Sequence, residues 1–287
     1  MKGISKSQVS RIAGQLDEDV KAFRERTLTS RYPYVWLDAI SIKTRENKHV
    51  VSVAVVVAIG VRDDGHREVL GLDIITEESG PGWSDFLRGL VERGLTGVKL
   101  VISDAHSGLK TAIFSELSGA SWQRCRTHFM RNVLTKVPKS SQAFVASIIR
   151  TVFAQADVES VEAQYGRVCE TLSKNFPKVV EMLEDAQEEV LAFRHFPTCH
   201  WRKIWSNNPL ERLNKEIRRR TNVVGIFPNR DAVIRLVGAL LAEQNDEWVE
   251  ARRYMTIGSL SQLDAAQDDK DEVAALPNAT PELEDAA

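Results

Sequence analysis

The feature that most constrains this chain is a valine- and isoleucine-rich run from His49 to Arg62, in which Val50 to Ile59 is interrupted by Ser52. The run is too short to cross a membrane as a helix, so it predicts a long apolar strand. Asp63-Asp64-Gly65 supplies a turn after it, and Tyr34 to Ile42 and Arg67 to Thr76 read as strands on either side. Three strands with short connections make an antiparallel meander. After Gly80-Pro81-Gly82, the residues Trp83, Phe86, Leu87, Leu90 and Val91 recur at helical spacing until Gly94. Val98 to Asp104 predicts a fourth strand, His106 to about Leu117 a helix, and Ala120 to Arg126 a fifth strand. From Phe129 to Phe196 the pattern is helical, and further helices are predicted over Trp201 to Thr221 and Asp231 to Met255. This order is that of an α/β core with a helical insertion.

At the N-terminus, Ser5 followed by Gln8 has the form of a capping box, and Val9, Ile12 and Leu16 then share one helical face. A glycine turn feeding a short Ser/Lys/Gln/Arg helix has the form of the second half of a helix-turn-helix, whose first half would precede Met1. An ordinary amphipathic helix is the rival reading. No basic-then-apolar leader with a cleavage site is recognisable, so none is expected. Cys125, Cys169 and Cys199 are too few and too scattered for a disulfide framework, which suits a reducing cytoplasm.

The net charge of −2 hides an uneven distribution. From Ser261 onward there are eight Asp or Glu against one Lys, which leaves +5 for residues 1–260. Residues 201–220 hold seven Lys or Arg against two Glu. A basic stripe of this kind is the footprint of a phosphate-backbone binder or simply a solvated helix face. The acidic, Ala-rich segment 259–287 is expected to be a disordered tail.

Two aspartates stand in or at the ends of apolar strands. Asp38 follows Val35-Trp36-Leu37, and Asp104 ends Leu100-Val101-Ile102-Ser103. A charge there costs several kcal/mol unless it is paired or binds a metal. Asp104 could instead cap the helix that follows it, and Asp38 could face solvent at a strand edge. Glu211 lies in Asn208-Pro209-Leu210-Glu211, which fits a helix start with Asn208 as N-cap and Glu211 as a capping residue. The same helix buries Leu210, Leu213 and Ile217 and sets Glu211, Asn214 and Arg218 along the border of that face. Converging carboxylates suit hard divalent cations. Two such ions about 3.5–4 Å apart can serve an in-line displacement at phosphorus.

Trp36-Leu37-Asp38-Ala39, Gly65-His66-Arg67-Glu68-Val69-Leu70-Gly71 and Trp83-Ser84-Asp85-Phe86-Leu87 together resemble the mutator-type (IS256-like) bacterial insertion-sequence transposases. So do Val101-Ile102-Ser103-Asp104-Ala105-His106-Ser107-Gly108, Trp122-Gln123-Arg124-Cys125-Arg126-Thr127-His128-Phe129 and Asn208-Pro209-Leu210-Glu211-Arg212-Leu213-Asn214. The resemblance runs in order over roughly residues 3–255. It implies an RNase H-like core, that is, a mixed five-stranded sheet flanked by helices, with an all-helical insertion domain. It implies a DDE triad of Asp38, Asp104 and Glu211 binding two Mg²⁺ or Mn²⁺ ions and carrying out DNA strand cleavage and strand transfer. Arg212, Lys215, Arg218 and Arg219, beside Glu211, would hold the DNA backbone.

Cys125 and His128 match the family's Cys-x-x-His signature. The pair supplies half of the ligands a structural zinc takes, and Cys199-His200 would have to complete the set, so a structural role is expected ahead of zinc. The implied organisation is a helix-turn-helix remnant over 1–30, core over 31–128, insertion over 129–200, and core helices over 201–258 before the tail. The implied partners are transposon ends, target DNA and further copies of the chain in a homo-oligomer, with no membrane, in a bacterial cytoplasm at the nucleoid. The resemblance also implies an N-terminally truncated member, with the end-binding region outside this chain. Two rivals differ in class. One is a catalytically idle DNA-binding or dimerising protein that interferes with full-length enzyme. The other is a junction-resolvase-like nuclease, which would predict a fourth acid and no long helical insertion.

Overall fold

The computed structural model describes residues 5–76 and 80–263. Helix α1 (Lys6–Glu25) opens it, capped by Ser5, whose side chain accepts from the Gln8 N–H while the Gln8 side chain accepts from the Ser5 N–H. Only its C-terminal part is anchored: Val20 packs on Gly238, and Asp17 pairs with Arg235 at 2.6 Å. Of the expected apolar face, Val9 and Ile12 are exposed and Leu16 is half-buried.

The sheet follows the predicted order. Strands β1 (Tyr34–Glu46), β2 (His49–Val61) and β3 (Arg67–Ile75) form an antiparallel meander. Helix α2 (Gly80–Glu92), strand β4 (Leu100–Ser103), helix α3 (Ser107–Glu116) and strand β5 (Ser121–Arg124) then add two parallel strands. The spatial order is β3-β2-β1-β4-β5, a mixed five-stranded sheet with β1 at its centre. β1 runs four residues beyond the predicted end at Ile42, because its β2 pairing extends to Glu46↔His49.

Side chains alternate across β1. Tyr34, Trp36, Ile40 and Ile42 enter one core, whereas Val35 and Leu37 enter the other with Trp83, Phe86 and Leu87 of α2. The first core continues into the helices α4 (Arg126–Leu134), α5 (Lys139–Arg150), α6 (Val158–Ser173) and α7 (Pro177–Val190). The helical block and one sheet face therefore share a single apolar cluster, joined through Phe129, Phe153, Phe193, Trp201 and Trp205.

The helix predicted over Trp201–Thr221 is two helices. A short α8 (Trp201–Ile204) stops before Trp205, and α9 (Asn208–Val224) begins three residues later. The break arises because Trp205, Ser206 and Asn207 spend backbone groups on neighbouring segments: the Trp205 carbonyl accepts from Arg126 N–H, and the Ser206 carbonyl from Trp36 Nε1. The N-cap is Asn207 rather than Asn208, and its side chain makes no capping bond.

The last long helix, α10 (Arg230–Glu250), ends short of the predicted Met255. Beyond it the N–H groups of Tyr254 and Met255 both bond to the Gly65 carbonyl, at 2.8 and 3.1 Å. Gly65 has φ +90°, and a Cβ there would meet the Met255 carbonyl oxygen at 2.0 Å, so this latch requires glycine. Residues 257–263 are helical, with Leu260 and Leu263 buried and the Leu263 carbonyl accepting from Lys99 Nζ. The tail expected from residue 259 is thus ordered helix as far as Leu263. Its remainder, residues 264–287, lies outside the described residues, as do residues 1–4 of the N-terminal motif. Among the described residues, no helix is long and apolar enough to cross a membrane.

His200 is buried beside the first strand, its Nδ1 sharing a 2.8 Å hydrogen bond with the Tyr34 hydroxyl. Burial, and then the Lys203 charge, lower its pKa to about 4. The unfolded chain takes up this proton near the ordinary histidine value of about 6.5, so the unfolded state binds more protons between the two values. The contribution of His200 is complete above about pH 6.5 and is lost as the pH falls toward 4, by about 3 kcal/mol. Urea unfolding between pH 7 and 4 should show that decline, with a shallower slope in His200→Gln.

Candidate active site

Asp38 is the fifth residue of the central strand, opposite Val57 of β2, two residues beyond the last β4 pairing at Trp36 and on the same face as Trp36 and Ile40. It does not point freely into solvent, because both carboxylate oxygens accept hydrogen bonds. Its Oδ1 accepts from the Ala39 N–H at 2.9 Å and its Oδ2 from Asn214 Nδ2 at 2.7 Å. Asp104 follows the last residue of β4. It does not cap the next helix, because the N-cap position of α3 is His106; the Asp104 Oδ1 accepts instead from the adjacent Ala105 N–H.

Glu211 sits in the first turn of α9, and its N–H makes the first helical bond, 2.8 Å to the Asn207 carbonyl. The side chain does not fold back to cap the helix. Its Oε1 is buried without a hydrogen bond and stands 3.9 Å from the Arg131 guanidinium.

These three acids line one cleft of about 640 Å³, with Trp83, His106, His128, Arg131, Asn214, Lys215 and Arg218 around them. Burial raises the Asp38 pKa, and the Asp104 charge adds to it. The His128 charge, the Ala39 N–H and the Asn214 amide act in the opposite direction but do not cancel the rise. The cleft thus carries a carboxylate that is costly to ionise. The His128 pKa is pushed up to about 9, with the neighbouring Cys125 the largest cause and the charges of Asp104 and Asp38 adding to it, against the effect of burial. His128 lines the same cleft as the two aspartates.

Cys125 is fully buried, and its sulfur accepts from the Asn207 N–H at 3.2 Å. The second Cys-His pair is not gathered to it. Cys199 is exposed, with Gln262 Oε1 4.0 Å from its sulfur, and His200 bonds to Tyr34. Of the four cations named from sequence, Lys215 and Arg218 line the cleft. Arg219 is instead forked onto Glu216, with bonds of 2.6 and 2.8 Å, and Arg212 is exposed outside the cleft lining.

The donor set suits a hard divalent cation: three carboxylates face one cleft, and one of their oxygens is buried without a hydrogen bond. Among the described residues, no three Asp, Glu, His or Cys side chains are already drawn into a ligand cluster. Mutual repulsion of carboxylates opposes such closure.

Sequence reasoning gave no role to Asn207, Arg131 or His106, and it placed Asn214 beside Glu211 without giving it a partner. The spacing of Asn214, three residues after Glu211 on one helix face, was an available signal. Arg131 had none, since it reaches the cleft from the helical block.

An α/β protein with an acid-lined, cation-rimmed cleft is the class that fold and site define. The model of the transposases of the Mutator family matches residues 1–251. The chain is 51% identical over 273 residues to the transposase for insertion sequence element IS1081 of Mycobacterium tuberculosis, across 94% of this chain and 66% of that one. It is 41% identical to the transposase for ISRM5 of Rhizobium meliloti, across 89% of this chain and 64% of that one. It is 37% identical to the transposase for IS256 in transposon Tn4001 of Staphylococcus aureus, across 88% and 66%. The chain belongs to the Mutator family of transposases. It spans about two thirds of the length of the curated relatives it matches.

Because the folded state favours neutral Asp38, removing its charge should stabilise the metal-free protein. Asp38→Asn is expected to raise the thermal midpoint. Scanning calorimetry at pH 7 in the presence of EDTA measures this, and a lowered midpoint would contradict the electrostatic account.

Proposed function

We propose that this chain catalyses divalent-metal-dependent DNA strand cleavage and strand transfer, with Asp38, Asp104 and Glu211 as the triad. The observation that supports it best is that acids from a central strand, from the loop after β4 and from the first turn of α9 all line one cleft. An antiparallel meander followed by two parallel strands supports an RNase H-like core for the sheet. In this reading the helical block over 129–200 is the insertion domain, and α1 belongs to the DNA-binding region over 1–30.

Asp38, Asp104 and Glu211 would hold two Mg²⁺ or Mn²⁺ ions. Such ions, when bound, supply nucleophile activation and charge stabilisation at the phosphate. The chain's own groups do the rest. Asn214 fixes the orientation of Asp38 by donating to Oδ2. Lys215 and Arg218, on the same helix as Glu211, bind backbone phosphates and set the scissile bond against the acids. His128 lines the cleft beside the two aspartates, whose charges favour its protonated form. Partners are transposon ends and target DNA, worked on by more than one copy of the chain at the bacterial nucleoid. Cys125 and His128 act structurally rather than as zinc ligands.

Purified protein given pre-cleaved DNA ends and Mn²⁺ should nick or join strands, and Asp38→Asn, Asp104→Asn and Glu211→Gln should each lose about a thousandfold or more in rate. A folded protein that binds DNA but shows no metal-dependent activity would instead favour an idle, interfering binder. Lys215→Ala and Arg218→Ala should each reduce the slope of log affinity against log salt by about one, measured by fluorescence anisotropy.

A further inference from the structure

The segment Trp205–Asn207 interrupts two helices and is buried, with Ser206 and Asn207 fully inaccessible. Buried polar groups usually find hydrogen-bond partners, so the partners chosen in such a place carry structural information. Asn207 chooses three. Its N–H donates to the Cys125 sulfur at 3.2 Å, and the Cys125 N–H donates in turn to the Ser103 carbonyl at 2.7 Å, one residue before Asp104. Its side-chain Nδ2 donates to the Leu37 carbonyl at 3.0 Å, one residue before Asp38. Its own carbonyl accepts from the Glu211 N–H at 2.8 Å.

The orientation of the amide is unambiguous, because only the NH₂ end can donate to a carbonyl. That choice leaves Oδ1 buried and unpartnered. Asn207 keeps the Leu37 contact even though its other end goes unsatisfied.

We propose that Asn207 is a positioning residue that sets the spacing of the three acid-bearing segments, bonding directly to two of them and through Cys125 to the third; the proposal rests on the triad reading above. Asn207 itself does not face the cleft. It acts through Leu37, Cys125 and Glu211. Cys125 is the intermediate link to Asp104, and this gives the Cys-x-x-His signature a mechanical part: its sulfur receives the Asn207 N–H.

The test uses the full chain and four variants: Asn207→Ala, Cys125→Ser, Cys125→Ala and Asp38→Asn. Two quantities are read. One is strand-transfer kcat and KM on pre-cleaved DNA ends with Mn²⁺. The other is hydrogen–deuterium exchange in peptides covering residues 34–40 and 208–214, without DNA. Asn207→Ala is expected to lower kcat about a hundredfold, the scale of a displacement of about 1 Å at a reacting centre, with KM for DNA unchanged. Exchange should quicken in both peptides while the helical block stays protected. Cys125→Ser keeps an acceptor for the Asn207 N–H and should recover most of the rate that Cys125→Ala loses.

Wild-type kcat in Asn207→Ala, or unaltered exchange in both peptides, overturns the proposal. So does quickened exchange without loss of kcat. If Asn207→Ala fails to fold, equal rates in Cys125→Ser and Cys125→Ala overturn it. If wild type shows no metal-dependent activity and Asp38→Asn changes nothing, the triad reading fails by itself, and the exchange data still decide whether Asn207 couples the segments.

Discussion

Strand β1 is the constraint on which the rest of the molecule depends. It pairs with β2 on one side over thirteen residues and with β4 on the other, so its backbone has no freedom to slip. Its side chains alternate between two apolar cores, and a one-residue shift would exchange them. Asp38 therefore sits at a fixed depth, where ionisation is costly and where hydrophobic burial elsewhere on the strand offsets that cost. A soft or solvated strand could not hold a carboxylate in this state.

The second acid is held by the neighbouring parallel strand and the third by a helix that must be brought to the sheet from a distance in sequence. That delivery depends on polar contacts in a buried place. The Trp205–Asn207 segment gives up helical hydrogen bonding to bind Trp36, Leu37, Cys125 and Arg126. An unbroken helix through these residues would have satisfied its own backbone and made no such attachments. Breaking it lets the first two turns of α9 present Glu211 and Asn214 to the acid-lined cleft, while Leu210, Leu213 and Ile217 bury the adjoining face.

Much of this was readable from local pattern. The valine-rich run, the Asp-Asp-Gly turn and the helical spacing after Gly80 predict the meander and α2, because each is a response to periodicity and turn chemistry within a few residues. The carboxylates at Asp38 and Asp104 stand out because acids are expensive in apolar strands. The break at Trp205 was not readable, since Trp201 to Thr221 keeps helical spacing throughout; only distant partners reveal why the helix stops. The exposed Val9 and Ile12 illustrate the converse, part of an apolar face written in sequence that the described residues leave uncovered.

The sequence by itself determined the order of the strands and most of the helices and the basic stripe on α9, which are short-range consequences of side-chain chemistry. Whether Asp38, Asp104 and Glu211 share a cleft, whether Arg219 faces that cleft or Glu216, and whether Cys125 meets His200 or Asn207 were decided only by tertiary structure. Those outcomes turn on bonds between residues up to 176 positions apart, such as Asn214 to Asp38. No local pattern encodes such a distance. It is set by how the helical block packs on the sheet, and that packing is the sum of many buried contacts rather than the property of any one segment.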